Sequence, residues 1–95
     1  MSDVVTAAVA ALSAKLPDGF AGSAKFVIEG EGALMVDGTG VRAADEASDV
    51  TLTADAETFQ GIMSGDVNAT AAFMQGKLAV DGDMGLAMQL GAALS

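Results

Sequence analysis

The chain contains no cysteine, histidine, tyrosine or tryptophan, a single proline, and only four basic residues. Each absence removes a class of function. Without cysteine there is no disulfide framework and no thiol chemistry. Without histidine the usual general base at neutral pH is missing, and with cysteine also absent so are the strong soft metal ligands. Lys15, Lys25, Arg42 and Lys77 stand against 13 acids, for a net charge of −9. Such a surface repels phosphate backbones and anionic headgroups, so nucleic acid is not an expected partner and membrane contact is expected to be transient at most. No apolar run approaches membrane-spanning length and the N-terminus lacks a charged-then-apolar signal pattern, which points to a cytoplasmic protein.

What is present is small and apolar. The 95 residues suit one domain, residues 1–95, and 52% of them are hydrophobic although only 4% are aromatic. Alanine fills 20 positions. Small apolar side chains either let backbones pack closely or leave space. The acidic charge keeps so apolar a chain in solution, and the alanine-rich, acidic composition suits a bacterial source.

The hydrophobic pattern gives the order of elements. Val5, Val9, Leu12 and Leu16 form one helical stripe, with Ser2 or Asp3 as cap and Pro17 as stop. Asp18-Gly19 and Gly22 mark the loop that follows. Period-two alternation then begins at Ala24, Phe26 and Ile28. It resumes after Glu29-Gly30-Glu31-Gly32 at Leu34 and Val36, and after Asp37-Gly38-Thr39-Gly40 around Val41 to Ala44. Closely spaced strands joined by Gly-rich turns predict an antiparallel meander. Ala44 to Ser48 is an acidic connection. Val50 and Leu52, and later Leu78 and Val80, add two strands. Together Phe26, Ile28, Leu34, Val36, Val50, Leu52, Leu78 and Val80 make one apolar sheet face. Lys25, Glu29, Asp37, Thr51, Thr53 and Asp81 occupy the other, so helices are expected on a single side.

Three helices remain to cover that side. Ala56, Phe59, Ile62 and Met63 have helical spacing after Thr53 or Asp55, with Gly65 as stop. Asn68 suits the N-cap of a short helix ending at Gly76, with Val67 and Ala72 as a hydrophobic staple. The last helix, capped by Asp81 or Asp83, carries Met84 and Met88 on one side and Leu86, Leu90 and Leu94 on another. A helix apolar nearly all round needs a second cover. A bound lipid, another subunit or a membrane would each supply it.

No catalytic constellation emerges. The carboxylates at Asp45, Glu46 and Asp49, at Asp55 and Glu57, and at Asp81 and Asp83 read as solvated turns and caps. Asp81-Gly82-Asp83 lacks the further ligands of a calcium loop. The glycine pairs lie in hairpins rather than in a strand-to-helix phosphate cradle. The serines have no base. No enzyme activity, cofactor or metal is expected. The distinctive excess is of flexible apolar side chains. Met63, Met74, Met84 and Met88 suit a cavity wall, because an unbranched thioether fills irregular shapes; ordinary core packing would use them equally well.

The run Phe73-Met74-Gln75-Gly76-Lys77-Leu78-Ala79-Val80-Asp81-Gly82-Asp83-Met84-Gly85-Leu86-Ala87-Met88-Gln89-Leu90 resembles the C-terminal signature of the sterol carrier protein two family, the non-specific lipid-transfer proteins. Val50 to Gly65, with Asp55, Phe59 and Gly65 in place, is similar to the same family. The resemblance implies an α+β domain: a five-stranded, antiparallel-type sheet, helices on one face, and a hydrophobic tunnel between them. It implies a fatty acyl chain, a sterol or a similar elongated lipid as ligand. It also implies Phe59, Met63, Phe73, Met74, Met84, Met88 and Leu90 as the tunnel lining, with Gln75 as a polar contact near its opening. The chain departs from better-known members in its tight Gly-rich hairpins, its acidic surface, the Leu34 where members often carry an aromatic, and an Ala93-Leu94-Ser95 end that is not a peroxisomal address. The other expectation is a non-catalytic interaction module, in which the C-terminal helix buries its second face against a partner or in a homodimer.

Overall fold

A computed structural model describes residues 3–17 and 19–94. Ser2, Asp18 and Ser95, which carried a cap, a turn and the terminal tripeptide in the reading above, lie outside the described residues.

The first helix, α1 (Asp3–Lys15), ends two residues before Pro17, and its acid and base complement the helix dipole. Its buried face is Val5, Ala8 and Leu12, continued by Leu16, while Val9 is only half-buried. The stripe is therefore turned towards alanine relative to expectation. A small residue there lets the helix approach strands β2 (Gly32–Asp37) and β3 (Gly40–Ala43), on which α1 packs. The approach is tight at Gly32 (φ 147°), where a Cβ would lie 3.1 Å from Val5 Cγ2.

With β1 (Ala24–Ile28), β4 (Val50–Ala54) and β5 (Leu78–Gly82), these strands form one sheet of order β3-β2-β1-β4-β5. The register aligns like with like. Ala43, Leu34, Phe26, Leu52 and Val80 form one row across all five strands. Seven of the eight expected inner-face residues are buried and Val80, on the edge strand, is half-buried. Lys25, Thr51 and Thr53 stay partly wet on the other face, as the alternation required.

One pairing differs from an all-antiparallel sheet. β1 and β4 run parallel, which makes the sheet mixed. The cause is the acidic connection, residues 44–49. β3 and β4 point the same way with β2 and β1 between them, so the chain must recross three strand spacings, ~14 Å, before β4 begins. Six residues reach at most ~20 Å, so the connection stays extended and has no room for a crossover helix. It lies as a strap over the outer face. Asp45 Oδ1 meets Lys25 Nζ at 2.9 Å, and Glu46 Oε1 meets Arg42 Nη2 at 2.7 Å. Asp49 closes the strap, its N–H donating to Ser23 Oγ. Met35, an outer-face residue paired with Lys25 and Arg42, is consequently 2% exposed.

The remaining helices start and stop at the expected chemistry. Asp55 caps α2 (Ala56–Ser64) by accepting from the Thr58 amide at 2.7 Å, and Gly65 ends it at φ 86°. Asn68 caps α3 (Ala69–Met74) by accepting from the Ala71 amide at 3.1 Å. Val67, the expected staple, lies against Gly61 of α2, where a Cβ would come 2.6 Å from its Cγ2. Of the two candidate caps for α4 (Met84–Leu94), Asp83 serves, accepting from the Leu86 amide at 3.1 Å.

Candidate functional site

The β5 half of the sheet carries an apolar cavity of about 220 Å³. Its floor is the inner sheet face: Phe26 of β1, Leu52 of β4, Leu78 and Val80 of β5. Its walls are Ile62 of α2, then Ala69, Thr70, Phe73 and Met74 of α3, then Met84, Ala87, Met88 and Gly91 of α4. Thr70 is the one lining residue with a polar side chain, and none of the lining side chains is ionisable.

The space follows from local sequence. α3 has only six residues and is bounded by a cap at each end, Asn68 at its start and Gln75 before Gly76 (φ 78°) at its stop. Where α3 meets α4, Ala69 faces Gly91, and a Cβ on that glycine would lie 3.7 Å from the Ala69 Cβ. Alanine and glycine bring the helix backbones together while placing little bulk over the sheet. Protein interiors rarely leave voids larger than a water molecule, and at ~30 Å³ per water this one has room for about seven. An apolar space of this scale suits apolar guests.

The cavity opens to solvent along α3 and α4. Met74 is 79% exposed, Met88 71%, Met84 44% and Phe73 41%. These four, the large apolar side chains left exposed among the described residues, all border the same space. The second face of α4, which the sequence left uncovered, is thus a cavity wall. Leu90, on its other face, is buried in the core.

Of the seven residues anticipated for the lining and Gln75 near its opening, the structure brings Phe73, Met74, Met84 and Met88 together. The other four stand elsewhere. Phe59 and Leu90 are core residues, 2% and 0% exposed. Phe59 packs beside the floor, edge-to-face on Phe26 with ring centroids 5.2 Å apart. Met63 packs half-buried against the core. Gln75 is the exposed C-cap of α3, its amide donating to the Ala71 carbonyl at 3.0 Å. The floor residues Phe26, Leu52, Leu78 and Val80 had been placed on the inner face but not in the lining. Ile62, Ala69, Thr70, Ala87 and Gly91 were not singled out. A helical face small enough to leave space is the signal that points to the last four.

Titratable groups near the site act as caps. The amide of Thr58, followed by its hydroxyl and the charge of Lys77, holds the Asp55 carboxyl below its ordinary value. Among the described residues no cluster of three metal-ligating side chains occurs, and no helix is long and apolar enough to cross a membrane.

Comparison with known proteins bears on this geometry. A family model described as the SCP-2 sterol transfer family matches residues 7–95. Peroxisomal multifunctional enzyme A of Dictyostelium discoideum is 46% identical over 54 residues, which cover 57% of this chain and 12% of that protein. The chain therefore spans a small part of the curated relative it matches. Among solved structures, the crystal structure of Sterol Carrier Protein 2 Like 2 from Aedes aegypti is similar at a TM-score of 0.78 and 25% identity, over 94% of each chain. The solution structure of palmitated SCP2L2 from Aedes aegypti is similar at a TM-score of 0.74 and 26% identity, over 99% of this chain and 95% of that one.

Proposed function

The chain belongs to the SCP-2 sterol transfer family, and we propose that it is a non-catalytic lipid carrier that holds an elongated apolar ligand, a fatty acyl chain first among the candidates, between its inner sheet face and helices α3 and α4. The observation that carries this reading is the cavity itself: about 220 Å³, apolar but for Thr70, and open where Met74 and Met88 stand in solvent. The palmitated relative supports an acyl ligand.

The magnitudes suit a carrier. Burying about 12 methylenes yields roughly 10 kcal/mol gross at about 0.8 kcal/mol each, and association and ordering remove several kcal/mol of that. What remains holds a lipid and still releases it. The cavity is smaller than the ~300–1,000 Å³ of most small-molecule sites, so a long chain fills it by displacing the flexible methionines at the mouth. A cytoplasmic setting and brief membrane contact belong to the same proposal. The acidic charge disfavours lasting adhesion to anionic bilayers.

The exposed Phe73, Met74, Met84 and Met88 favour one other reading, a homodimer formed through the same face without lipid. Native mass spectrometry of protein purified without detergent separates the two. A monomer carrying an extra mass that dissociates as a lipid is the expected result. A lipid-free dimer would favour the interaction module. A bare monomer that also takes up no added palmitate would overturn the carrier reading.

A further inference from the structure

The sulfur atoms are unevenly distributed. Of the six methionines in the chain, Met35 is 2% exposed and Met63 is half-buried against the core. Met74, Met84 and Met88 are 79%, 44% and 71% exposed, and all three line the mouth of the apolar cavity. The chain has no cysteine, tryptophan, tyrosine or histidine. The side chains that ordinarily compete for a two-electron oxidant are therefore absent, and methionine thioethers are the oxidisable groups that remain.

We propose that Met74, Met84 and Met88 form an oxidation site that controls lipid retention. The co-reactant is a peroxide. The thioether sulfur attacks one peroxide oxygen, the O–O bond breaks, an S–O bond forms, and with hydrogen peroxide one water leaves. Sulfur loses two electrons and the peroxide gains them. The product is methionine sulfoxide, polar and chiral where the thioether was apolar. At a buried position this would damage the fold. At this mouth, which faces solvent, the sheet and core stay in place and the lipid-facing rim becomes polar. Rim thioethers adapt to an acyl chain by changing shape, and sulfoxides oppose its desolvation. A sulfoxide reductase reverses the change, so the device is a reversible one. Among the described methionines position accounts for the selectivity: the exposed sulfurs are at the lipid mouth and the protected Met35 lies beneath the strap.

This inference rests on the carrier reading, and its test separates the two. The full-length protein is treated with hydrogen peroxide, oxidised positions are mapped by peptide mass spectrometry, and palmitate affinity is measured by displacement of diphenylhexatriene before and after treatment. Met74 and Met88 should oxidise first, Met84 next and Met35 last. Palmitate affinity should fall roughly tenfold or more with far-ultraviolet circular dichroism unchanged, and methionine sulfoxide reductase should restore it. In a Met74→Leu, Met84→Leu, Met88→Leu variant the ratio of treated to untreated affinity should stay near one, whatever that variant's own affinity. Unchanged affinity after confirmed oxidation of the three positions would overturn the proposal and leave the carrier reading standing. A loss that persists in the triple-leucine variant would also overturn it. Failure of the untreated protein to bind either palmitate or the dye would remove the carrier reading, and this proposal with it.

Discussion

The two ends of the sheet use the same residue types and reach opposite results. At the β2–β3 end, α1 presses on the inner face and the 44–49 strap crosses the outer one. Leu34 and Val36 are 0% exposed and Met35, between them, is 2% exposed. At the β5 end no segment among the described residues matches the strap. Ala79 and Asp81 face solvent, Val80 is half-buried, and α3 and α4 bound a cavity against the sheet. Alanine and glycine are involved at both ends. Under α1 they allow contact, since Ala8 and Gly32 bring helix and strand together. Between α3 and α4, Ala69 and Gly91 let two helices meet each other, and a space remains between them and the sheet, where Val80 is only half-buried. Small residues thus create packing or space according to which pair of elements they bring close.

The sharpest way to break this contrast is to charge the loose end. Met84→Asp combined with Met88→Asp should reduce palmitate binding more than about 100-fold, because a carboxylate at the mouth must be desolvated to meet an acyl chain. The fold should survive, since both side chains are exposed at the mouth, Met88 more than Met84, and neither belongs to the buried core. Circular dichroism beside native mass spectrometry checks both halves, and undiminished lipid uptake by a folded variant would remove these residues from the site. Next comes one substitution made at each end. Val36→Ala should cost about 2–3 kcal/mol, near the full worth of a buried valine. Val80→Ala, beside an existing space, should cost about 1 kcal/mol or less. Urea unfolding of the two variants measures the difference, and equal losses would mean that the two ends are equally filled. The smallest effect is with acid. Hydrogen bonds from the Thr39 hydroxyl, Arg42 and the Thr39 amide hold the Asp37 carboxyl at about 2, against an ordinary 3.8. The cap on α2 lowers Asp55 in the same direction. A depressed folded pKa means stability fully present above the unfolded value and lost as pH falls through the folded one. The melting temperature should therefore hold down to about pH 4 and decline towards pH 2, and Asp37→Asn should flatten part of that decline.

Much of the fold was legible because it is local. The caps at Asp55 and Asn68, the stops at Pro17, Gly65 and Gly76, and the alternation through Phe26, Leu34, Leu52 and Leu78 all act within a few residues. The parallel pairing of β1 with β4 was not. It depends on where residues 44–49 travel, and their composition shows an acidic loop without its route. The site was legible in part for a related reason. Met63, Met74, Met84 and Met88 stood out as flexible apolar side chains suited to a cavity wall; the last three line the space, and Met63 packs against the core. Phe59 and Leu90 carry the same periodicity signal yet pack in the core, because sequence spacing tells which face a residue shares and not how far the opposing element stands from it.

By itself the sequence determined the order and type of every element, the single apolar face of the sheet, and the absence of thiol and imidazole chemistry. Backbone hydrogen bonding, side-chain periodicity and residue inventory are properties of neighbouring positions. Only the tertiary structure decided that β1 and β4 run parallel, that Met35 is sealed while Met88 is wet, and that the inner face is filled at one end and hollow at the other. A cavity is a volume from which atoms are absent, bounded by elements distant in sequence, and its existence depends on the distances at which those elements come to rest.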